Sequence, residues 1–300
     1  MSTGSLRVLV AGASGLIGTE VTHQLEAHGH TVLRLVRREP QRSNEFVWDP
    51  PGRTIDAKVL KKVDAVVNLT GATTGKLPWT PAYKKKILRS RIDTTQTLAE
   101  AIAVTDAAPA TFINASATGY YGSRPGETLD ESSVRGEGFL ADVVDAWEQA
   151  ANLAAPVTRV VTVRTGLVVA RGGAFAPLAL ATRFGAAARV GSGQQVWPWV
   201  SLHDEAAAIV HLLGSEVSGP VNLVGPLAAT SEDATRALAR ALRRWHPFAL
   251  PEGLIKLGLG EAGEEMLLTD QRIVPRVLLD DGFEFAHGSI DSAIDAVWPN

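Results

Sequence analysis

The sequence predicts an α/β protein: a Rossmann-type, doubly wound parallel sheet with a smaller, mainly helical C-terminal lobe. Three observations lead there. Apolar, β-branched runs alternate with helical stretches over residues 1–170, the pattern of a parallel sheet covered on both faces. The first run passes into a glycine-rich turn, Gly12-Ala13-Ser14-Gly15-Leu16-Ile17-Gly18. Beyond Arg171 the texture shifts to more glycine, more aromatics and weaker periodicity.

Each element has its own signal. Residues 6–11 are rich in Val and Leu and read as a buried strand. Val21 and Leu25, four apart, give residues 19–28 a helical face, and Gly29 supplies the stop. Residues 31–36 form a second strand and close a β-α-β unit. Residues 45–48 and 64–69 read as the next strands, the latter running into Gly71. A helix over 90–103, a strand over 110–115, a long helix over 139–153 and a sixth strand over 159–169 follow. Residues 221–224 read as one further strand of the same sheet, and 231–244 and 252–268 as helices of the lobe. The boundaries that result are 1–170, with a return strand near 219–225, for the sheet domain. Residues 171–218 and 226–300 form the lobe.

Composition removes whole classes of function. The 300 residues carry 29 Lys+Arg against 32 Asp+Glu, a net charge of −3, and no cysteine. Disulfides, thiolate metal sites and cysteine nucleophiles are excluded. The histidines are scattered without ligand spacing, so no metal is expected. Without a Gly-x-Ser-x-Gly elbow, a hydrolase has no nucleophile. The near-neutral balance offers no electrostatic footprint for nucleic acid. No apolar run nears the ~18 residues of a membrane span, and residues 1–6 lack the features of a secretory leader. The expectation is a cytoplasmic protein with a small-molecule substrate and neither nucleic acid nor membrane as partner.

The glycine turn has a mechanism. Gly12 permits the tight exit from the strand, Gly15 lets the backbone approach a pyrophosphate, and Gly18 lets the helix pack closely on the sheet. The helix start, with Leu16 and Ile17, offers free N–H groups and partial positive charge to the phosphates. The end of the second strand reports on the cofactor. An NAD site places an acidic residue there for the ribose 2′-OH; this sequence has Val36, Arg37 and Arg38. An arginine there holds a 2′-phosphate in charge-assisted bonds, and Ser14 adds a hydroxyl. NADP(H) is therefore expected over NAD(H), with a solvated arginine pair as the alternative reading.

The glycine spacing resembles the extended short-chain dehydrogenase/reductase superfamily. Asn68-Leu69-Thr70-Gly71 resembles its fourth-strand motif. Asn114 to Gly122 resembles the fifth-strand segment carrying the active-site serine, and residues 163–168 resemble the sixth strand. A narrower resemblance runs through almost the whole chain. Val47-Trp48-Asp49-Pro50, Trp79-Thr80-Pro81, Ser90-Arg91, Phe139-Leu140-Ala141, Trp147-Glu148, Gln271-Arg272 and Gly282-Phe283 are similar to the "epimerase family protein" subgroup. These are atypical members with a characteristic C-terminal segment and no firmly assigned substrate. The resemblance implies cofactor contacts at Leu69, Thr70, Gly71 and Ser116, and an adenine contact at Asp49, for which a turn role is the alternative. It also implies a homodimer, because helices 90–103 and 139–153 correspond to elements that pair subunits in the superfamily.

Typical members use Ser, Tyr and Lys together, with Tyr-x-x-x-Lys on the helix after the fifth strand. Setting Glu148 against the glutamate that often follows that lysine puts Leu140 and Val144 in the two places. Neither moves a proton, so the dyad is absent. Ser116 and Tyr121 are the catalytic candidates that remain, with packing the alternative for Tyr121 and the expected role of Tyr120. A free tyrosine titrates near ~10, so Tyr121 needs a cationic neighbour. Arg164 is one candidate; pairing with Glu148 or capping the sheet are its other roles. Trp197 falls where nucleotide-sugar epimerases carry an arginine for the diphosphate. Trp197, Trp199 and Ser201 are the expected substrate wall, or they pack the seam. His203, beside Asp204, is expected to be structural. The function expected is an NADP(H)-dependent oxidoreductase or epimerase on a small molecule. The missing dyad motivates an alternative, an NADP(H)-binding regulatory or sensor protein without turnover.

Overall fold

The computed structural model describes residues 4–299; residues 1–3, the start of the segment read as leaderless, lie outside them. β1 (Arg7–Ala11) turns into α1 (Leu16–Ala27), and β2 (Thr31–Val36) returns parallel to β1. The turn needs Gly12. Its φ is +85°, where other residues are strained, and a Cβ there would lie 2.9 Å from Leu69 O. β3 (Glu45–Asp49) extends the sheet, and β4 (Thr54–Ile55) adds an antiparallel edge. β5 (Ala65–Asn68) follows on the other side of β1.

α2 (Pro81–Ala103) starts well before residue 90. Thr80 caps it, accepting from Tyr83 N at 3.2 Å, and Pro81 occupies the first turn. Lys84, Lys85 and Lys86 leave that turn without an apolar stripe, so periodicity misses it. β6 (Thr111–Ala117) and α3 (Phe139–Asn152) come next. The run 159–169 is two strands rather than one: β7 (Arg159–Thr165) and β8 (Leu167–Val169). Gly166 breaks it, because its N–H goes to Leu223 O while Leu167 N goes to Pro198 O. A Cβ on Gly166 would collide with the Pro198 carbonyl.

α4 (Phe175–Arg183) opens the lobe, and β9 (Trp199–Ser201) pairs parallel with β8. α5 (Leu202–Leu213) falls within the 171–218 stretch assigned to the lobe, yet it covers the main sheet beside α1. Ala206, Ala208, Ile209 and Leu212 share one buried core with Val8, Val21 and Leu25. β10 (Gly219–Leu223) is the return strand, paired parallel with β7. The eight strands lie in the order β10-β7-β6-β5-β1-β2-β3-β4.

α6 (Ser231–Ala241) follows. The helix expected over 252–268 is split at Gly260 (φ +55°) into α7 (Glu252–Leu259) and α8 (Glu261–Leu267). α9 (Ile290–Val297) closes the lobe, whose core gathers Phe175, Trp197, Trp199, Leu238 and Ile294. Among the described residues no helix is long and apolar enough to cross a membrane.

Candidate functional site

The sheet order reverses direction at β1, which has β2 on one side and β5 on the other. Ligands of open α/β sheets bind at the strand ends beside such a point. There the chain forms a cleft of about 1150 Å³. Its floor is Gly12, Ser14 and Gly15 from the turn, with Leu69, Thr70 and Gly71 after β5. The first N–H groups of α1 have no intrahelical acceptor, so the helix start is a ready anion site.

One wall is cationic. Arg34, Arg37, Arg38 and Arg42 line it, with Glu45 and Trp48. Arg38 is committed: its two terminal nitrogens each lie 2.8 Å from a Glu45 oxygen. That pairing, with the Gln41 N–H, holds the Glu45 carboxyl down at about 2. Arg37 and Arg42 make no ion pair among the described residues, and Arg34 Nε is buried without a partner. Lys76, Tyr83, Lys86, Ser90 and Thr94 line the opposite side. Arg34, Arg42 and Lys76 escaped the sequence reading. Arg34 had a signal, as the one charge inside the apolar run 31–36.

Other expected cofactor residues stand elsewhere. Leu16 and Ile17 offer the cleft only the backbone N–H groups of the helix start; neither lines it, and the Leu16 side chain lies against Gly172 and Gly173. Gly18 serves packing: a Cβ on it would collide with the Gly12 carbonyl. Asp49 folds its carboxylate over Gly52, and Trp48 lines the cleft in its place, as the alternation of side chains along a strand requires.

Ser116 and Tyr121 are not free catalytic groups. Ser116 Oγ donates to Glu148 Oε1 at 2.6 Å. Arg164 Nε and Nη2 donate to the same carboxylate at 2.8 and 2.9 Å, and its Nη1 donates to Tyr121 Oη at 2.9 Å. Tyr121 then donates to Asn222 Oδ1 at 2.7 Å. Arg164 also stacks on the Tyr120 ring, 3.6 Å from its centre. Tyr121 is 0% exposed, and burial pushes its hydroxyl up to about 12 despite the arginine. It can neither meet a substrate nor lose its proton near neutrality. Ser116, 3% exposed, is likewise enclosed. The network braces β6, β7, β10 and α3.

The place of the missing dyad is also filled. Leu140 borders a small recess of about 160 Å³ beside Gly119 and Gln271, and Val144 is buried. Glu265 from α8 caps α3, accepting from Phe139 N (2.8 Å) and Leu140 N (2.7 Å). Burial raises the pKa of this carboxyl.

Trp197, Trp199 and Ser201 do not wall a substrate pocket. Trp197 Nε1 donates to Leu267 O and Trp199 Nε1 to Leu227 O, with both rings inside the lobe core. Ser201 caps α5, accepting from Asp204 N at 2.9 Å and donating to Asp204 Oδ2 at 2.8 Å. Asp204 also accepts from Ala286 N and His287 N, which ties the C-terminal segment to the sheet. His203 stands at 3.3 Å from Gln24 of α1. The physical reason is that their polar atoms are already spent inside the seam: the two indole N–H groups on backbone carbonyls, the Ser201 hydroxyl on the Asp204 N–H and carboxylate.

With this geometry in place, residues 8–225 match the NAD dependent epimerase/dehydratase family. The chain belongs to that family. Residues 250–297 match a C-terminal domain of unknown function, DUF1731. Epimerase family protein MT2273 of Mycobacterium tuberculosis is 42% identical over 290 residues, covering 96% of each chain. Human epimerase family protein SDR39U1 is 34% identical over 297 residues, covering 97% of this chain and 99% of that protein. These likenesses place the family member in the atypical short-chain dehydrogenase/reductase subgroup. The crystal structure of human SDR39U1 (isoform 2) with NADPH superposes with a TM-score of 0.89 at 32% identity, covering 98% of this chain and 100% of that one. MoeE5 in complex with UDP-glucose and NAD, at 22% identity and a TM-score of 0.76 over 97% of each chain, shares the fold.

Proposed function

We propose that the chain binds NADP(H) in the cleft at the ends of β1, β2 and β5, and acts as an oxidoreductase or epimerase on a small molecule. The observation that carries the cofactor choice is the wall formed by Arg34, Arg37 and Arg42. Arg37 and Arg42 make no ion pair among the described residues, and Arg34, whose Nη2 donates to Glu26 Oε1 at 3.4 Å, keeps its Nε free, while the nearby carboxylate of Glu45 is tied to Arg38. A 2′-phosphate suits such a wall, whereas a ribose 2′-OH calls for a free acidic residue. The turn fits the pyrophosphate, since Gly12 and Gly15 put bare backbone and the start of α1 against the cleft. The NADPH in the human relative's structure supports the same choice.

The nicotinamide, when bound, supplies hydride transfer. The chain's residues bind and orient it: the arginines at the adenosine end, the turn at the pyrophosphate, Leu69 to Gly71 along the floor. Titration with NADPH and NADH under one set of conditions tests the reading. NADPH is expected to bind at least about tenfold tighter, a difference of ~1.4 kcal/mol; equal binding removes the preference.

One observation favours a second reading, binding without turnover. Tyr121 is sealed, and Leu140 and Val144 occupy the dyad positions, so no described residue of this set can exchange a proton with a substrate. A screen of NADPH oxidation across carbonyl and sugar compounds separates the two. Turnover with any of them supports the enzyme; none, alongside tight NADPH binding, supports the sensor.

A further inference from the structure

The recess of about 160 Å³ beside Leu140 lies between the start of α3, the turn that follows β6 and α8. Its polar lining is rich in acceptors and poor in donors. Glu137, Glu264 and Glu265 bring three carboxylates to it, and among the described residues no Lys, Arg or His lines it. Thr269 spends its hydroxyl proton on the Glu264 and Glu265 carbonyls, at 3.1 and 2.7 Å. Lys84 is held by Glu261 at 2.8 Å, and Lys256 lies 3.4 Å from Glu264. Glu265 keeps a lone pair on each oxygen after its two bonds to the α3 N–H groups. Burial outweighs those bonds and the Lys84 charge, and raises its pKa.

An amide points the same way. Gln271 is 5% exposed. Its Nε2 donates to Thr118 O at 2.9 Å and to Gly122 O at 2.8 Å, which uses both amide protons and fixes the side chain. Its Oε1 accepts from no group among the described residues and is left to the recess that Gln271 lines. An amide oxygen this enclosed calls for a donor. A group with several donors and no acceptor matches such a lining, and an ammonium has three N–H donors and a positive charge.

We propose that the recess takes a primary ammonium group, with Gln271 Oε1, the Glu265 carboxylate and the exposed rim carboxylate of Glu137 accepting its N–H bonds. A hydroxyl would bring lone pairs with few donors to meet them, and an anion would meet three carboxylates. The volume is about five times the ~30 Å³ share of a water, room for the ammonium and a few carbons. Assigning this group to a substrate rests on the enzyme reading. There Leu140 is the link, since it borders the recess in the place where typical short-chain dehydrogenases carry their tyrosine. The substrate class is then a small alcohol or carbonyl compound bearing a primary amine. Glu264, Glu265 and Gln271 all come from the C-terminal segment 250–297, so that segment supplies the selectivity.

The test titrates n-butylammonium, n-butanol and n-butyrate into the full chain near neutral pH, followed by NMR, beside a separate titration with NADPH. Butylammonium is expected to bind at least about tenfold tighter than butanol, and butyrate not to bind. It is expected to shift the Glu265 carboxyl titration downward, because a cation beside a carboxylate favours its charged form. Gln271→Met and Glu265→Gln are each expected to weaken butylammonium about tenfold, as for a lost hydrogen bond to a charged group, and to leave NADPH within about twofold. Glu137→Gln, at the exposed rim, is expected to weaken it about threefold and carries the test if a buried variant does not fold. Butylammonium bound no tighter than butanol overturns the proposal, and so do variants that bind it as the parent chain does. A chain that binds butylammonium in this way but no NADPH overturns the cofactor reading and the substrate assignment with it. One that binds NADPH and no butylammonium overturns the ammonium site alone.

Discussion

At the scale of single residues, what decides a role is whether a side chain's polar atoms are already spent. Arg37 and Arg38 are neighbours in sequence, yet only Arg38 is spent, on Glu45. Arg37→Ala is expected to raise the Kd for NADPH about tenfold and leave NADH within about twofold, because a charge-assisted bond to phosphate contributes roughly 1.5–3 kcal/mol. Arg38→Ala acts by another route: it frees the Glu45 carboxylate, whose repulsion weakens NADPH more than NADH. Paired isothermal titrations on both variants check this, and equal losses for the two cofactors would count against a phosphate at the wall. Tyr121 makes the opposite case. Tyr121→Phe leaves Asn222 and Arg164 short of a partner in a sealed site, which costs about 1–3 kcal/mol. Denaturant unfolding should show that loss with NADPH affinity unchanged; lost turnover at unchanged stability would return Tyr121 to catalysis.

At the scale of elements, the sequence was most legible where burial is two-sided. Strands β1 and β5 are nearly continuous apolar runs, and β2, β6 and β7 keep apolar stretches between a few polar residues, because helices cover both faces. The start of α2 was not legible, since Lys84, Lys85 and Lys86 mask it and the signal lies in Thr80 and Pro81. The break at Gly166 was not legible either: apolar residues continue across it, and what ends the strand is the distant Pro198 carbonyl. The site divides in the same way. Its glycines could be read because backbone geometry demands them. The fates of Asp49, Ser116 and Trp199 depend on partners brought from elsewhere in the chain, and no local pattern records those. Ser201 tests the element-level account. As the cap of α5, its change to Ala is expected to cost about 1–2 kcal/mol of stability, because Asp204 loses a donor as well. Thermal unfolding should register this with NADPH binding intact; selective loss of activity at full stability would restore Ser201 to a substrate site.

At the scale of the whole molecule, stability is tied to pH through carboxyls that folding treats in opposite ways. Glu205, at the first turn of α5, is 0% exposed; Thr165 Oγ1 donates to its Oε1 at 2.7 Å and its Oε2 has no partner. Burial pushes its pKa up from 4.5 to about 8, and burial raises Glu131 and Glu265 in the same direction. Between these limits the folded state holds a proton that the unfolded chain has released. Stability therefore falls as pH rises from about 4.5 to about 8, and levels off above that. Glu45 has the reverse sign. Its pKa is held down at about 2 by Arg38, so its contribution is present above 4.5 and is lost as pH falls toward 2. The two together place the maximum of stability on the acid side of neutrality. Glu205→Gln keeps the acceptor for Thr165 and removes the titration. Its unfolding temperature is expected to match the parent chain's near pH 5 and to exceed it increasingly up to pH 8, as measured by circular dichroism across that range. Parallel curves for the two proteins would mean that Glu205 is ionised in the folded state, with its unpartnered oxygen solvated or paired.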